Sequence, residues 1–156
     1  MNISIESIKK LRGKTGGGIA DCRRALEQAK GDFKRAEELL KKWGVDKAAE
    51  KSDRVVGAGL VDTYIHAGGR VGAMVEVNCE TDFVAKTEEF KTLVREVAMQ
   101  VAAMDPKNVE EVLEQEYIRD SAKKIDQLVK ETIAKVGENI VVRRFARFEL
   151  GTEIIS

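Results

Sequence analysis

The chain has 156 residues, with 27 Lys and Arg against 27 Asp and Glu, two cysteines and one histidine; that is room for one ordinary domain or two small ones, with a core that needs neither disulfides nor metal. Cys22 and Cys79 lie far apart with no C-x-x-C pair, which excludes a cystine scaffold and reads as two small buried hydrophobes in a reducing compartment. No run approaches the roughly 20 apolar residues of a membrane span, and Met1-Asn2-Ile3-Ser4 lacks the basic flank and apolar core of a signal peptide, so a cytoplasmic protein without membrane contact is expected.

The balanced charge argues against nucleic-acid binding by bulk electrostatics, yet it hides an asymmetry. Residues 1–52 carry 13 basic and 8 acidic side chains, and the remainder carries 14 and 19. Within the basic part, Ser4 precedes Ile5, Ile8 and Leu11 at one-face helical spacing, with Gly13 as the expected stop. After Gly16-Gly17-Gly18, the residues Ile19, Cys22, Ala25, Leu26 and Ala29 again share a face up to Gly31. Asp32 caps a third segment with Phe33, Ala36, Leu39, Leu40 and Trp43 on one side, ended by Gly44. A three-helix bundle follows, with Val45–Arg54 as a short polar helix or linker and a module boundary near Ser52.

Beyond that boundary the apolar period changes to two. Leu60–His66, a turn at Ala67-Gly68-Gly69-Arg70, and Val71, Ala73, Val75, Val77 and Cys79 predict a β-hairpin. Phe90, Leu93, Val94, Val97, Ala98 and Val101 form a helical stripe capped by Thr87 and stopped at Asp105-Pro106. Two further helices are expected, one opened by Pro106 with Val109, Val112 and Leu113, and one through Ile125, Leu128, Val129, Ile133 and Val136 to Gly137. The last strand covers about Asn139–Leu150, with apolar residues on both alternating faces, so one sheet face is left for a partner. The fold class expected is α+β, with modules 1–52 and 53–156.

Motifs for chemistry fail one by one. Gly13-Lys14-Thr15 resembles the end of a phosphate-binding loop, but the first glycine of that motif would fall at Ile8 and no strand precedes it. His66, the single histidine, sits at a strand end without a sequence motif around it, and Glu88-Glu89 and Glu110-Glu111 fit solvated first helical turns. Arg143, Arg144 and Arg147 interleave with Phe145 and Phe148, which strand alternation explains without an RNA-binding signature. No catalytic residue, metal site or cofactor is called for. Thr81-Asp82-Phe83-Val84 is less ordinary, because it puts a carboxylate and a large aromatic in a strand-to-helix connection. Either Thr81 or Asp82 caps the next turn while Phe83 staples it to the core, or the segment protrudes as a wedge into a partner.

Three ordered segments carry a family resemblance. Leu11–Leu26, with its Arg12-Gly13-Lys14-Thr15-Gly16-Gly17-Gly18-Ile19 turn, resembles the N-terminal signature of the elongation factor Ts family. Glu76–Ala85 resembles its second signature, and Gly137-Glu138-Asn139-Ile140 followed by Arg143-Arg144 a third. The resemblance implies a bundle similar to ubiquitin-associated domains followed by a core with a three-stranded antiparallel sheet packed on helices. It implies guanine nucleotide exchange on elongation factor Tu, with Thr81, Asp82, Phe83 and Val84 dislodging the partner's Mg²⁺. Arg12, Gly18 and Ile19 then match docking positions on the partner's nucleotide-binding domain, with His66 and Ile140 as weaker correspondences. Only one core is present, and Met104–Ser121 is short beside the helical-hairpin insertion of longer members, so a homodimer is expected to supply a second core half. The alternative is a ubiquitin-associated-type interaction module fused to a dimerisation domain; an RNA-binding protein is the third class.

Overall fold

In the computed structural model, residues 3–152 are described; Met1 and Asn2 of the N-terminal reading and residues 153–156 of the expected second module lie outside that range. Ser4 opens α1 (Ile5–Thr15) by accepting the Ser7 amide at 3.1 Å, as its side chain can where first-turn N–H groups have no helical partner. The helix runs through the expected stop at Gly13 and ends at Gly16, whose φ of 68° lets its N–H return to the Arg12 carbonyl at 2.7 Å. A glycine stops a helix only when it takes the left-handed conformation, and Gly13 does not.

The second helix, α2 (Ile19–Gln28), buries Cys22, Ala25 and Leu26, and Lys30 and Gly31 with positive φ turn the chain into α3. Asp32 caps α3 (Phe33–Lys51) by accepting the Arg35 amide at 3.0 Å. Leu11, Cys22, Ala25, Leu26, Ala29 and Ala36 make the small core of this bundle, with Ile8, Phe33, Leu39, Leu40 and Trp43 around it.

The expected stop at Gly44 is also corrected: of the two readings of Val45–Arg54, helix or linker, the helical one holds as far as Lys51, as a continuation of α3. Gly44 is buried where α3 packs on α7 (Ile125–Val136), and a Cβ placed on it would stand 3.6 Å from that of Ala134. Tertiary packing thus carries the helix across a residue whose own propensity opposes it.

The larger core lies beneath a three-stranded antiparallel sheet in the order β1 (Ala58–Ile65), β2 (Val71–Cys79), β5 (Ile140–Glu149). Its inner face carries Ala73, Val75, Val77 and Cys79 against α5 (Glu88–Met104), whose stripe of Phe90, Leu93, Val94, Val97, Ala98 and Val101 is buried as its spacing requires. Along β5 the simple alternation breaks: Glu76 pairs with Arg144 but Val77 with Val142, so Arg143 is an extra, bulged residue. The bulge switches the parity, and Ile140, Val142, Phe145 and Arg147 turn inward while Val141, Arg144, Ala146 and Phe148 turn outward. Arg147 is usable on that inner face because its guanidinium reaches the Ala102 carbonyl at the end of α5 (3.1 Å), Asp105 (3.3 Å) and Glu149 (3.1 Å).

A second, two-stranded sheet was not legible in the sequence. After α6 (Val109–Glu114), which Asn108 rather than Pro106 caps, β3 (Glu116–Tyr117) and β4 (Asp120–Lys124) form a short hairpin. Their ladder is brief, and α5 holds it with side chains. The buried Gln100 donates to the Gln115 side chain (3.2 Å) and the Glu116 carbonyl (3.0 Å) and accepts the Ile118 amide (3.0 Å), while the Tyr117 hydroxyl donates to Glu96.

Two outcomes are expected in thermal unfolding. Gly44→Ala fits at ordinary contact distance and removes a helix-interior glycine, so it raises stability by about 0.5–1 kcal/mol, roughly 1–4 °C in Tm. Gln100→Ala leaves Glu116 and Ile118 backbone groups unpaired and lowers stability by about 1–3 kcal/mol.

Candidate functional site

The β2–α5 connection contains the short helix α4 (Asp82–Ala85). Val84 and Ala85 point into the core, while Thr81, Asp82 and Phe83 face solvent, Phe83 with 82% of its surface exposed. Of the two readings of this segment, the capping half holds, since Thr81 Oγ1 accepts the Val84 amide at 3.3 Å. The stapling half does not, because Phe83 touches no core. What staples the turn is Val84, whose carbonyl also receives the Thr87 amide (3.0 Å) and hydroxyl (2.7 Å) at the start of α5.

The tip is braced from the neighbouring strand. Backbone pairing of β2 with β5 ends at Cys79 and Ile140, and carboxylates take over the next two steps. The Asn139 amide donates to Glu80 Oε1 at 2.8 Å, and the Thr81 amide donates to Glu138 Oε1 at 3.0 Å. The Thr81 hydroxyl donates to Glu138 Oε2 at 2.7 Å, so Glu138 grips Thr81 through both oxygens. Asn139, buried, also donates its side-chain amide to the carbonyls of Arg54 (2.9 Å) and Ser52 (3.3 Å), where the chain leaves α3. Glu80, Glu138 and Asn139 are the residues that sequence reasoning missed as functional supports. Their signal was present only in the Glu76–Ala85 and Gly137–Ile140 motifs, with no hint of what the carboxylates hold.

Arg12, Gly18 and Ile19 are brought together by the α1–α2 turn. All three are exposed, Ile19 to 60%, and Gly18 begins α2 with no side chain to bond the free first-turn amides. This turn borders a cleft of about 1030 Å³ between the bundle and the core, walled on the far side by Lys130, Glu131 and Lys135 of α7. Lys47 spans from α3 to Asp21 of α2 at 2.6 Å, and Arg24 stacks over the Trp43 ring at 3.9 Å.

His66 is exposed at the end of β1, where the Tyr64 hydroxyl lies 3.1 Å from its Nδ1. Ile140 is 4% exposed beneath the sheet, so its side chain supports β5 and offers no surface to a partner. Burial pushes the Cys22 and Cys79 thiols up, away from nucleophilic thiolates. Among the described residues no group of three His, Cys, Asp or Glu side chains is placed to hold a metal ion, and no helix is long and apolar enough to cross a membrane.

The outward sheet face is apolar over much of its area. Val61, Ile65, Met74, Val141 and Phe148 are exposed there, Phe148 to 78%, beside the Arg144–Glu76 ion pair at 2.8 Å.

Known proteins match nearly the whole length of the chain. A protein of Thermoanaerobacter sp. (strain X514) named Elongation factor Ts is 43% identical over 197 aligned positions, covering 97% of each chain. The aligned stretch is longer than this chain, so that relative carries residues within it that are missing here. The Caldanaerobacter subterraneus elongation factor Ts is 42% identical over 97% of this chain and 98% of its own. That of Nostoc sp. (strain PCC 7120) is 50% identical over 95% of this chain but only 47% of its own length. A family profile described as Elongation factor TS matches residues 80–156, the stretch that begins at Glu80 and takes in the wedge, its carboxylate braces and β5. With both the bundle and the braced core matched in chain order, the protein belongs to the elongation factor Ts family of translation factors.

Proposed function

We propose that the protein is a guanine nucleotide exchange factor for elongation factor Tu, releasing GDP by pressing the Thr81–Val84 element against the partner's Mg²⁺ and phosphate site. The observation that carries this reading is the exposure of Phe83 on a turn whose neighbours are buried and hydrogen-bonded. A rigidly presented aromatic is the kind of side chain that dominates interfaces. Asp82 stands beside it and supplies hard oxygen atoms of the class that Mg²⁺ accepts.

Guanine nucleotides in such partners are held by a phosphate loop and by Mg²⁺ bridging phosphate oxygens. Displacing the ion removes part of that anchorage without making or breaking a covalent bond, so the factor needs no catalytic residue or cofactor of its own. By linkage, a factor that weakens nucleotide binding is itself bound less tightly when nucleotide returns, which lets one molecule serve many partners. In this reading residues 1–52 dock on the partner's nucleotide-binding domain through Arg12, Gly18 and Ile19, and residues 53–156 perform the exchange, with His66 as an accessory contact. Ile140 acts only through the sheet it supports.

The apolar outer face of the sheet supports a second element of the proposal, a homodimer through the core. The chain aligns with less than half of the Nostoc relative, and a second copy packing face to face would cover Val61, Ile65, Met74, Val141 and Phe148 in place of a second core half.

Release of a fluorescent GDP analogue from elongation factor Tu, followed by stopped flow, tests the first element. Asp82→Ala with Phe83→Ala is expected to slow release by about 2 kcal/mol, roughly thirtyfold, with unfolding stability within about 0.5 kcal/mol of the parent because both side chains are exposed. An unchanged release rate at saturating factor refutes the exchange role of this segment. Binding that appears only with RNA and falls steeply with salt favours the nucleic-acid class instead, and binding to ubiquitin or a peptide alone favours the interaction-module class. For the dimer, sedimentation at about tens of micromolar is expected to give two copies, and Met74→Glu with Phe148→Glu to give one; a monomeric parent, alone and with the partner, removes it.

A further inference from the structure

We infer that Glu138 is a positioning residue for nucleotide exchange, acting through Thr81 to hold the Asp82–Phe83 tip in its protruding conformation. The inference rests on the exchange reading above and adds to it a residue that holds the tip without being part of it. Its basis is the double grip already described, in which one carboxylate takes the Thr81 amide at 3.0 Å and the Thr81 hydroxyl at 2.7 Å.

A threonine hydroxyl has one proton and two lone pairs. With the proton committed to Glu138, a lone pair is left to face the Val84 amide, which lies 3.3 Å away, and that bond closes the single turn on which Phe83 stands. Four residues are too few to hold a helical turn by propensity, since nucleation fixes several dihedrals for one hydrogen bond. The turn therefore depends on bonds from outside it: at its N-terminal end the Cys79 thiol donates to the Thr81 carbonyl at 3.2 Å, and Glu138 takes both the Thr81 amide and its hydroxyl. Charged acceptors make the stronger bonds of this kind, and both donors are within ordinary hydrogen-bond distance of the carboxylate.

The brace is also oriented. Glu138 follows Gly137, the left-handed residue that ends α7, and precedes Asn139, which is locked to Glu80 and to the carbonyls of Ser52 and Arg54. Neither end of Glu138's own segment can slide without breaking one of those contacts. The wedge is thus referenced to α7, to β5 and to the exit of the docking module, and not merely to its own loop. Displacing reacting or docking groups by about 1 Å can cost up to a hundredfold in rate, so a brace of this sort shows itself in the maximal exchange rate more than in affinity.

The test compares Glu138→Ala, Glu138→Gln and Phe83→Ala in stopped-flow GDP release over a range of factor concentrations, using the full chain and elongation factor Tu. Glu138→Ala is expected to lower the maximal rate about tenfold or more, while the concentration at half-maximal rate changes less than about threefold because Arg12 and Ile19 are untouched. Glu138→Gln keeps one acceptor for the Thr81 amide and offers an N–H to the hydroxyl, so it is expected to recover most of the rate. Amide hydrogen exchange in the free protein gives a readout independent of activity: Thr81 and Val84 exchange faster in Glu138→Ala, while the amides of α5 keep their protection. A Glu138→Ala protein with parental maximal rate overturns the positioning role. So does one whose α5 amides lose protection together with Thr81, or a Glu138→Gln protein as slow as Glu138→Ala. Phe83→Ala separates the two levels, since its parental rate would bring down the exchange reading itself, whereas a slow Phe83→Ala beside a fast Glu138→Ala brings down only the brace.

Discussion

Asn139 is buried and polar, and a buried amide must find partners or cost the fold its desolvation penalty. Its side-chain amide finds them in the carbonyls of Ser52 and Arg54, where α3 gives way to the core, while its main-chain N–H donates to Glu80 just past the end of β2. The geometry around the Thr81–Val84 turn follows from that satisfaction. With Asn139 fixed, Ile140 enters the ladder against Cys79, Glu138 is aimed at Thr81, and the helical bundle is tied to the sheet beside the wedge. Arg54 adds an ion pair to Glu80 at 3.5 Å on the same spot, although its side chain is half in water and contributes little alone.

The bundle and the core are joined by different means on their two sides. Near the wedge the join is polar and specific. Along α3 and α7 it is a close approach of small residues, Gly44 to Ala134, with Ala48 belonging to the core beneath the sheet rather than to the bundle. Between the two lies the cleft walled by Lys135 and by the glycine turn, open enough to leave Arg12 and Ile19 free. The exposed α1–α2 turn and the exposed Phe83 tip are thus presented from one frame.

The sheet makes a comparable division. Its bulge at Arg143 turns a strand with apolar residues on both faces into one that feeds Phe145 to the core and Phe148 to solvent. Without the extra residue, Arg144 would lie over the core and Phe145 outside it. One inserted position therefore creates both a sound inner face and an apolar outer one.

Periodicity identified the α5 stripe, the hairpin of β1 and β2 and the last strand, and residue type identified the Ser4, Asp32 and Thr87 caps, because each rests on contacts a few residues apart or on a two- or 3.6-residue repeat. The family signatures marked Thr81–Val84, and the local chemistry of Thr81 as a cap was readable as well. Tertiary structure decided the rest. Gly13 and Gly44 were misplaced as stops, since whether a glycine ends a helix depends on its φ and on what packs against it. The β3–β4 hairpin was invisible because Gln100 and Glu96, more than fifteen residues earlier, supply the bonds its short ladder lacks. Whether Phe83 lay inside or outside could not be read from its type, for a buried staple and an exposed wedge use the same residue; the answer came from Val84 filling the core and from Glu138, which reaches Thr81 across 57 positions of chain.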